Sequence, residues 1–241
     1  MIDNMTTFEI QSKIIPVLDK GYVRLIDSMG GDLSVVNSAR ASYNKEVSEI
    51  SQADANLINF LVKHGHASTL RHAFVTFEVK APLMIARQWF KLVVGSAHTD
   101  PFLGWNEGSR RYITSKEEFY EIQSDEWREA PENSKQGSGG PVDDFIGGFY
   151  TDAFRKWAED GHKLYQAAME EGICAEQARV FLPAYALYVN WRWTCSLQAL
   201  THFLHQRLAS DAQSEIRDYA NAVYRLSQPL FPITFAAMEL G

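Results

Sequence analysis

Residues 74–90, with the sequence FVTFEVKAPLMIARQWF, decide the fold because they place two patterns of different period side by side. Apolar and polar side chains alternate from Phe74 to Val79, which predicts a strand with one buried face. Pro82 follows, and proline is favoured at the first position of a helix, so a helix is predicted from there to Phe90. A strand that runs into a helix predicts a fold that contains both.

The rest of the chain places strands early and helices late. A strand is predicted at residues 22–26, and Ser51 is predicted to cap a helix that ends near Gly65. The stretch 129–142 (EAPENSKQGSGGPV) is linker-like and is predicted to be a mobile, exposed loop. This order predicts one α+β domain spanning residues 1–241. Apolar residues at helical spacing cover residues 143–171, 194–209 and 212–226.

Charge and cysteine content limit the classes of function. The formal net charge of −7 gives no positive field that would draw the protein to nucleic acid or to an anionic membrane. The first ten residues lack a signal-peptide pattern, and no apolar run is long enough to span a bilayer. Cys174 and Cys195 have no zinc-ligand spacing. We expect a cytoplasmic protein with reduced thiols that binds neither nucleic acid nor membranes.

The segment 106–112, NEGSRRY, is the first candidate for an anion site. It places a carboxylate, a hydroxyl and two guanidinium groups beside Gly108. Glycine lets backbone amides approach an anion closely, and Ser and Arg supply donors that match phosphate. The alternative is a polar loop with a structural ion pair, and the segment alone does not decide between them.

Two further candidates are cationic positions on predicted helices. Arg87 and Lys91 lie four residues apart and share a helix face, where an anion between them would relieve their repulsion; simple solvation of that face is the alternative. Arg207 follows an apolar stripe and would be partly desolvated, which strengthens the effect of its charge. Its alternative is a salt bridge to Asp211 or Glu215.

The sequence shows no metal or Gly-rich phosphate site. His64, His66 and His72 lie close together, but their spacing matches no zinc template and no carboxylate accompanies them. Neither a P-loop nor a GxGxxG motif after a strand is present. We therefore predict no bound metal.

Four stretches stand in order along the chain: VRLIDSMGGDLSVVNSARASY, HGHASTLRHAFVTFEVKAPLMIARQWF, NEGSRRY and LPAYALYVNWRWTCSLQALTHFLHQRLASDAQSEIRDYA. Together they resemble the flavin-dependent thymidylate synthase family, from about residue 23 to residue 237. NEGSRRY is similar to the second half of the family's RHR-x7-S signature, and the last stretch is similar to its C-terminal helices. The resemblance implies a small, mostly antiparallel sheet with several helices, a homotetramer with active sites where subunits meet, and bound FAD.

The resemblance also implies an activity, the conversion of dUMP to dTMP. The one-carbon donor would be 5,10-methylenetetrahydrofolate, and NADPH would reduce the FAD. Arg207 and Ser109 would be catalytic, with Arg207 favouring the N3-deprotonated pyrimidine. The residues implied for dUMP are Gln88, Lys91, Glu107, Gly108, Ser109, Arg110, Arg111, Arg179 and Arg207, and those implied for FAD are His66, Ser68, Lys91, Glu107, Ser196, Gln198 and His202.

The chain departs from the family pattern on the flavin and folate side. Lys91-Leu92-Val93 stands where the family shows Arg-His-Arg, and an insertion follows at residues 96–104. Lys91 keeps a charge but loses the bidentate fork of arginine, and His98 in the insertion is a candidate to assist FAD binding. Arg71 stands where a glutamate is common, and Ser196 and Gln198 replace Asn and Arg.

Three functions remain open at the level of sequence. The first is the dUMP methylase. The second is a related methylase or hydroxymethylase of another pyrimidine nucleotide such as UMP. The third is a non-catalytic protein that binds nucleotide or flavin. Neither cysteine has an evident activating His or Lys neighbour, which suits a flavin route that needs no thiol nucleophile.

Overall fold

The strands of the described residues form one five-stranded antiparallel sheet at the centre of the protein, with strand order β1-β2-β3-β5-β4. The computed structural model describes residues 14–90, 104–108, 117–132 and 136–238. The predicted α+β class and mostly antiparallel sheet are confirmed. The strands are Ile14–Val17 (β1), Gly21–Met29 (β2), Phe74–Pro82 (β3), Trp105–Glu107 (β4) and Tyr188–Ser196 (β5).

Eight α-helices occur in the described ranges, joined by short 3-10 turns. The last two long ones confirm the predicted helices near the C-terminus, since their apolar stripes are buried. No helix in these ranges is both long enough and apolar enough to cross a bilayer. The helices are Asp32–Arg40 (α1), Gln52–Lys63 (α2), Leu83–Phe90 (α3), Asp144–Glu170 (α4), Ala175–Ala178 (α5), Leu197–Arg207 (α6), Ser214–Ser227 (α7) and Pro232–Ala237 (α8).

Strand β5 corrects the sequence prediction for the C-terminal part of the chain. The stretch around it was expected to be helical, with a helix starting near Thr194, but residues 188–196 form a strand beside β3. The pairing is continuous from Phe74 opposite Ser196 to Pro82 opposite Tyr188. The signal was present in the sequence, because Trp191, Trp193 and Cys195 alternate with polar residues and all three are buried.

Pro82 is a second correction, because it ends β3 and does not begin the helix. It lies opposite Tyr188, and a proline without an N–H fits a strand end where no further ladder bond is needed. Leu83 starts α3, and its N–H donates to the carbonyl oxygen of Leu187 at 2.9 Å. The strand therefore passes into the helix with no intervening loop.

Aromatic packing holds α3 against the sheet. Trp89, Trp191 and Trp193 are each at most 2% exposed. The ring of Trp89 meets both others edge-on, with centroids 5.4 Å apart, and stacks on Phe203 at 4.4 Å. Edge-to-face contacts place the positive ring edge on the negative face, which favours this geometry. Burial of Trp89 turns the opposite face of α3, with Arg87 and Gln88, away from the core.

Helix α4 confirms the predicted helix at 143–171, with Asp143 as its N-cap. Its apolar side chains are only partly buried: Phe145 is 85% exposed, Phe149 is 64% exposed and Trp157 is 58% exposed. Scattered apolar residues are common on protein surfaces, but a row of large ones along one helix marks an interaction surface.

The predicted loop at 129–142 is largely exposed in the described part. Glu129 N–H donates to Gly140 O, and Gly139 N–H donates to Glu129 O, both at 2.8 Å. Backbone pairing thus closes the loop at its base. Its predicted mobility stays a prediction.

Ser51 caps α2 as predicted, and Asp54 completes the cap. The Asp54 carboxylate accepts bonds from the Ser51 backbone N–H at 2.9 Å and the Ser51 hydroxyl at 2.6 Å, and Arg40 of α1 also binds it. The hydrogen bonds from Ser51, followed by Arg40, lower the pKa of Asp54 to about 2. Asp54 thereby ties α1 to the first turn of α2.

We expect Asp54→Asn to lower stability at pH 7 and to have little effect in strong acid. Because the folded pKa lies below the value of about 4 for a free aspartate, this carboxylate stabilises the fold above pH 4. Its contribution is lost as pH falls through about 2. Urea unfolding midpoints of the parent and the variant, measured from about pH 2 to pH 7, give the difference in stability. Asp125→Asn, at an exposed carboxylate, is the control. A stability difference between parent and variant that does not change with pH would contradict the lowered pKa of Asp54.

Candidate active site

Arg207 and Gln88, predicted separately, lie together where the end of α6 meets α3. Arg207 Nη2 donates to the backbone carbonyl oxygen of Gln88 at 2.9 Å. Both line a cavity of about 430 Å³ that also includes Gln213 and Asp211. The structure therefore brings an arginine and an amide to one concave surface.

The salt bridge considered as an alternative for Arg207 is not formed. Glu215 instead pairs with Arg128 at 2.5 Å, and no ion pair of Arg207 occurs among the described residues. Its Nε is buried without a hydrogen-bond partner in this part of the chain. Burial lowers the pKa of Arg207, although an arginine stays protonated at neutral pH. A partly desolvated cation beside a cavity favours an anionic ligand.

A chain of hydrogen bonds holds the Gln88 amide in place. Gln88 Nε2 donates to Gln213 Oε1 at 2.5 Å, and Gln213 Nε2 donates to the Glu215 carboxylate at 2.8 Å. Glu215 is 3% exposed and also accepts hydrogen bonds from Arg128 and from the Ser214 hydroxyl. Because Gln213 donates to Glu215, its oxygen faces Gln88 and accepts from it, which gives the amide of Gln88 one preferred orientation. Sequence reasoning missed Gln213, since its contact with Gln88 spans 125 residues.

Glu107, Gly108 and Arg179 form a second cluster, separate from the cavity of Arg207 and Gln88. They line a cavity of about 550 Å³ together with Leu83 of α3. Gly108 N–H donates to the Asn190 carbonyl oxygen at 2.8 Å, which continues the pairing of β4 with β5. The predicted nucleotide residues thus divide into two groups within one chain.

The charge of Glu107 depends on its neighbours. Burial raises the pKa of this carboxyl, and a hydrogen bond from Trp105 and the nearby charge of Arg87 act in the opposite direction. Arg87 therefore has a carboxylate close by, so solvation alone does not describe its surroundings. Lys91, its predicted partner on the same helix face, lies outside the described residues.

Three of the residues implied for the cofactor line the largest of these cavities, of about 1090 Å³. His66, Ser68 and Gln198 meet there, between the 3-10 turn Ala67–His72 and α1. As far as the chain is described, the lining contains Arg40 and Arg71 and no carboxylate. Arg71 Nε donates to Gln198 Oε1 at 2.5 Å.

His202 and Ser196 have different surroundings. His202 lines a neighbouring cavity of about 570 Å³, which shares Gln198 with the large one. Ser196 is 1% exposed, and its hydroxyl accepts the Ala199 N–H at 3.2 Å as the N-cap of α6. A contact of either residue with FAD stays a prediction.

Several predicted residues lie outside the described residues, and no geometry is assigned to them. They are Lys91, Ser109, Arg110 and Arg111 of the implied site, together with Leu92, Val93 and His98 of the divergent segment.

Among the described residues, no group of three or more His, Cys, Asp or Glu could hold a metal ion. Cys174 is exposed and Cys195 is buried, and both are free. Burial raises the pKa of the Cys195 thiol well above its usual value. Neither cysteine lines the four cavities described above.

Comparison with known proteins finds one family. Residues 24–233 match the family described as thymidylate synthase complementing protein. A flavin-dependent thymidylate synthase from Thermus thermophilus is 40% identical over 225 residues, covering 93% of this chain and 78% of that protein. One from Thermosipho africanus is 37% identical over 221 residues, covering 92% of each chain.

A solved structure is also similar. It is a UMP/dUMP methylase, PolB, from Streptomyces cacaoi bound with 5-Br UMP, with a TM-score of 0.76 and 26% identity. The similarity covers 92% of this chain and 95% of that one.

We expect one thiol per native chain to react with Ellman's reagent, because the exposed Cys174 is accessible and Cys195 is not. Reactivity requires the thiolate, and burial raises the pKa of Cys195 and so disfavours its thiolate. Two thiols should react after denaturation, and Cys174→Ser should leave none in the native protein. Fast reaction of both thiols in the native protein would contradict this placement.

Proposed function

The chain belongs to the thymidylate synthase complementing protein family, and from this membership we propose that it is a flavin-dependent thymidylate synthase. It converts dUMP to dTMP, with 5,10-methylenetetrahydrofolate as the one-carbon donor and NADPH-reduced FAD as the hydride source. The observation that supports this best is the desolvated guanidinium of Arg207, held against Gln88 beside a cavity.

Arg207 stabilises negative charge on the pyrimidine. Forming a bond from C5 to the one-carbon unit requires electron density at C5, which deprotonation at N3 increases. A fixed cation near the ring favours that anionic form, and its effect is strong because Arg207 is partly shielded from water. The residue acts without gaining or losing a proton.

Gln88 and the second cluster position the nucleotide. The Gln88 amide, oriented through Gln213, offers hydrogen bonds to a pyrimidine edge. Arg179 supplies a charge that matches phosphate, and Gly108 allows close approach of the backbone. Ser109, Arg110 and Arg111 follow directly in sequence and would add donors to this cluster.

FAD fits the residues that line the 1090 Å³ cavity. The described part of this lining has no carboxylate to repel its phosphates, and Tyr43 and Phe60 offer aromatic surface for a planar group. His66, Ser68 and Gln198 would hold it. Bound, reduced FAD supplies the hydride that completes the methyl group, so no thiol nucleophile is needed.

A homotetramer accounts for the exposed apolar face of α4. Phe145, Phe149 and Trp157 offer a surface for another chain, beside an aromatic-lined cavity of about 190 Å³ that includes Trp127 and Tyr185. Shared sites would also explain why the nucleotide residues form two groups in one chain. The cytoplasmic location expected from the sequence remains part of this proposal.

UMP is a second candidate substrate. The similar structure of PolB is that of a UMP/dUMP methylase bound with 5-Br UMP. The two nucleotides differ only at the ribose 2′-position, and that hydroxyl is the group on which selection between them must depend.

Assays of dTMP formation test the proposed function. Purified protein is incubated with FAD, NADPH, methylenetetrahydrofolate and either dUMP or UMP, and the products are separated by chromatography. Methylation of dUMP supports the proposal, and preferential methylation of UMP supports the second candidate. NADPH oxidation without any methylated nucleotide would contradict both.

We expect Arg207→Ala to lower kcat/KM for dUMP about 100-fold or more, because it removes the charge that stabilises the pyrimidine anion. Arg207→Lys should lose less, since it keeps the charge without the fork that reaches Gln88. Arg225→Ala, at an exposed arginine on α7, is the control for loss of a positive charge. Activity of Arg207→Ala within about twofold of the parent would contradict the assignment.

We expect Trp157→Glu to reduce the mass measured by light scattering from four chains to a smaller assembly. A buried, unpaired carboxylate at an apolar interface is costly. Gln166→Glu adds the same charge at an exposed position on the same helix and should leave the tetramer intact. An unchanged mass for Trp157→Glu would place the interface elsewhere.

A further inference from the structure

The 1090 Å³ cavity is positively charged in an acidic protein. Within the described residues, its lining includes Arg40 and Arg71 and contains neither aspartate nor glutamate. The chain as a whole has a formal net charge of −7. A positively charged cavity in a negatively charged protein attracts anions, because a cleft lined by one sign of charge focuses the electric field.

Only one of the two arginines has its charge compensated within the described residues. Arg40 binds Asp54 through Nε at 2.9 Å and also through Nη2, and the Asp54 side chain is 3% exposed. Arg71 makes no ion pair within the described ranges, and its polar partner there is the neutral amide of Gln198. The positive charge available to a ligand in this cavity is therefore that of Arg71.

Gln198 restrains that guanidinium. Arg71 Nε donates to Gln198 Oε1 at 2.5 Å. This bond occupies the Nε position of the guanidinium group and leaves its two Nη groups available to a ligand. The backbone of Gln198 is held in turn, because it lies in the first turn of α6, two residues after the buried cap residue Ser196. The contact joins two parts of the chain 127 residues apart.

We propose that Arg71 binds the diphosphate of the flavin dinucleotide, with Gln198 as its positioning residue. This rests on the proposed function for the identity of the ligand. Arginine and two adjacent phosphates match in charge and in geometry. The neighbouring hydroxyls of Ser42 and Ser68 line the same cavity and can donate to the remaining phosphate oxygens.

Because Arg71 and Gln198 are in contact beside the cavity, an arginine at either position would bring its guanidinium to the same part of the lining. An arginine at position 198 should therefore replace Arg71 in binding the diphosphate.

Flavin binding to the purified full chain tests the proposal without requiring turnover. Dissociation constants for FAD and for riboflavin, which has no phosphate, are measured by quenching of flavin fluorescence. Arg71→Gln should weaken FAD binding about tenfold or more and change riboflavin binding little, because it removes a charge-assisted contact to phosphate. Arg225→Gln removes the same charge at an exposed site outside the cavity and should bind FAD like the parent.

The double variant Arg71→Gln/Gln198→Arg separates a loss of charge from a loss of structure. It restores the positive charge with an arginine at position 198 and should recover most of the FAD affinity. Thermal melting curves check that each variant is folded. Recovery supports the proposal, and a folded double variant as weak as Arg71→Gln would overturn it, because a positive charge at this contact would then not be what binds the diphosphate.

Two other outcomes distinguish this proposal from the proposed function. If the parent binds FAD and Arg71→Gln binds it equally well, the assignment of Arg71 is overturned and the flavin enzyme stands. If the parent binds neither FAD nor riboflavin, both the assignment and the proposed function are overturned. Equal weakening for FAD and riboflavin would show that Arg71 acts on the ring and would also overturn the phosphate assignment.

Discussion

The structure depends on the pairing of β3 with β5 and on the tryptophan packing that its register produces. This register places Trp191 and Trp193 on the buried face of the sheet, where Trp89 of α3 meets both edge-on. Because α3 follows β3 without a loop, fixing Trp89 also fixes the adjacent outward residue, Gln88. The candidate nucleotide site is therefore positioned by the aromatic core, and a shift of one residue in register would displace it.

Around this core, the arginines fall into two classes. Arg40 and Arg128 each bind a buried carboxylate and connect structural elements. Arg71 and Arg207 line cavities, and within the described part of the chain neither has an acidic partner. An acidic protein could pair these charges easily, so leaving them unpaired beside cavities favours small anionic ligands. Nucleotide and dinucleotide are ligands of this kind.

Local periodicity was sufficient to predict much of the fold. The alternation from Phe74 to Val79 and the cap at Ser51 were predicted from neighbouring residues alone. Strand β5 was missed because its surroundings resembled helices, although its own alternation favoured a strand, and Pro82 was misplaced because a proline suits a strand end as well as a helix start. The contacts of Gln88 with Gln213 and of Arg71 with Gln198 join residues far apart in the chain, so no local pattern could reveal them.

The central claim is that nucleotide and flavin bind to one active site on this scaffold. The most direct measurement is the visible absorption spectrum of the purified protein with FAD, recorded before and during titration with dUMP. The account predicts a bound flavin band that shifts and saturates as dUMP binds, because a nucleotide beside the ring changes its surroundings. A flavin band that stays unchanged at saturating dUMP, or no retained flavin in excess FAD, would contradict it.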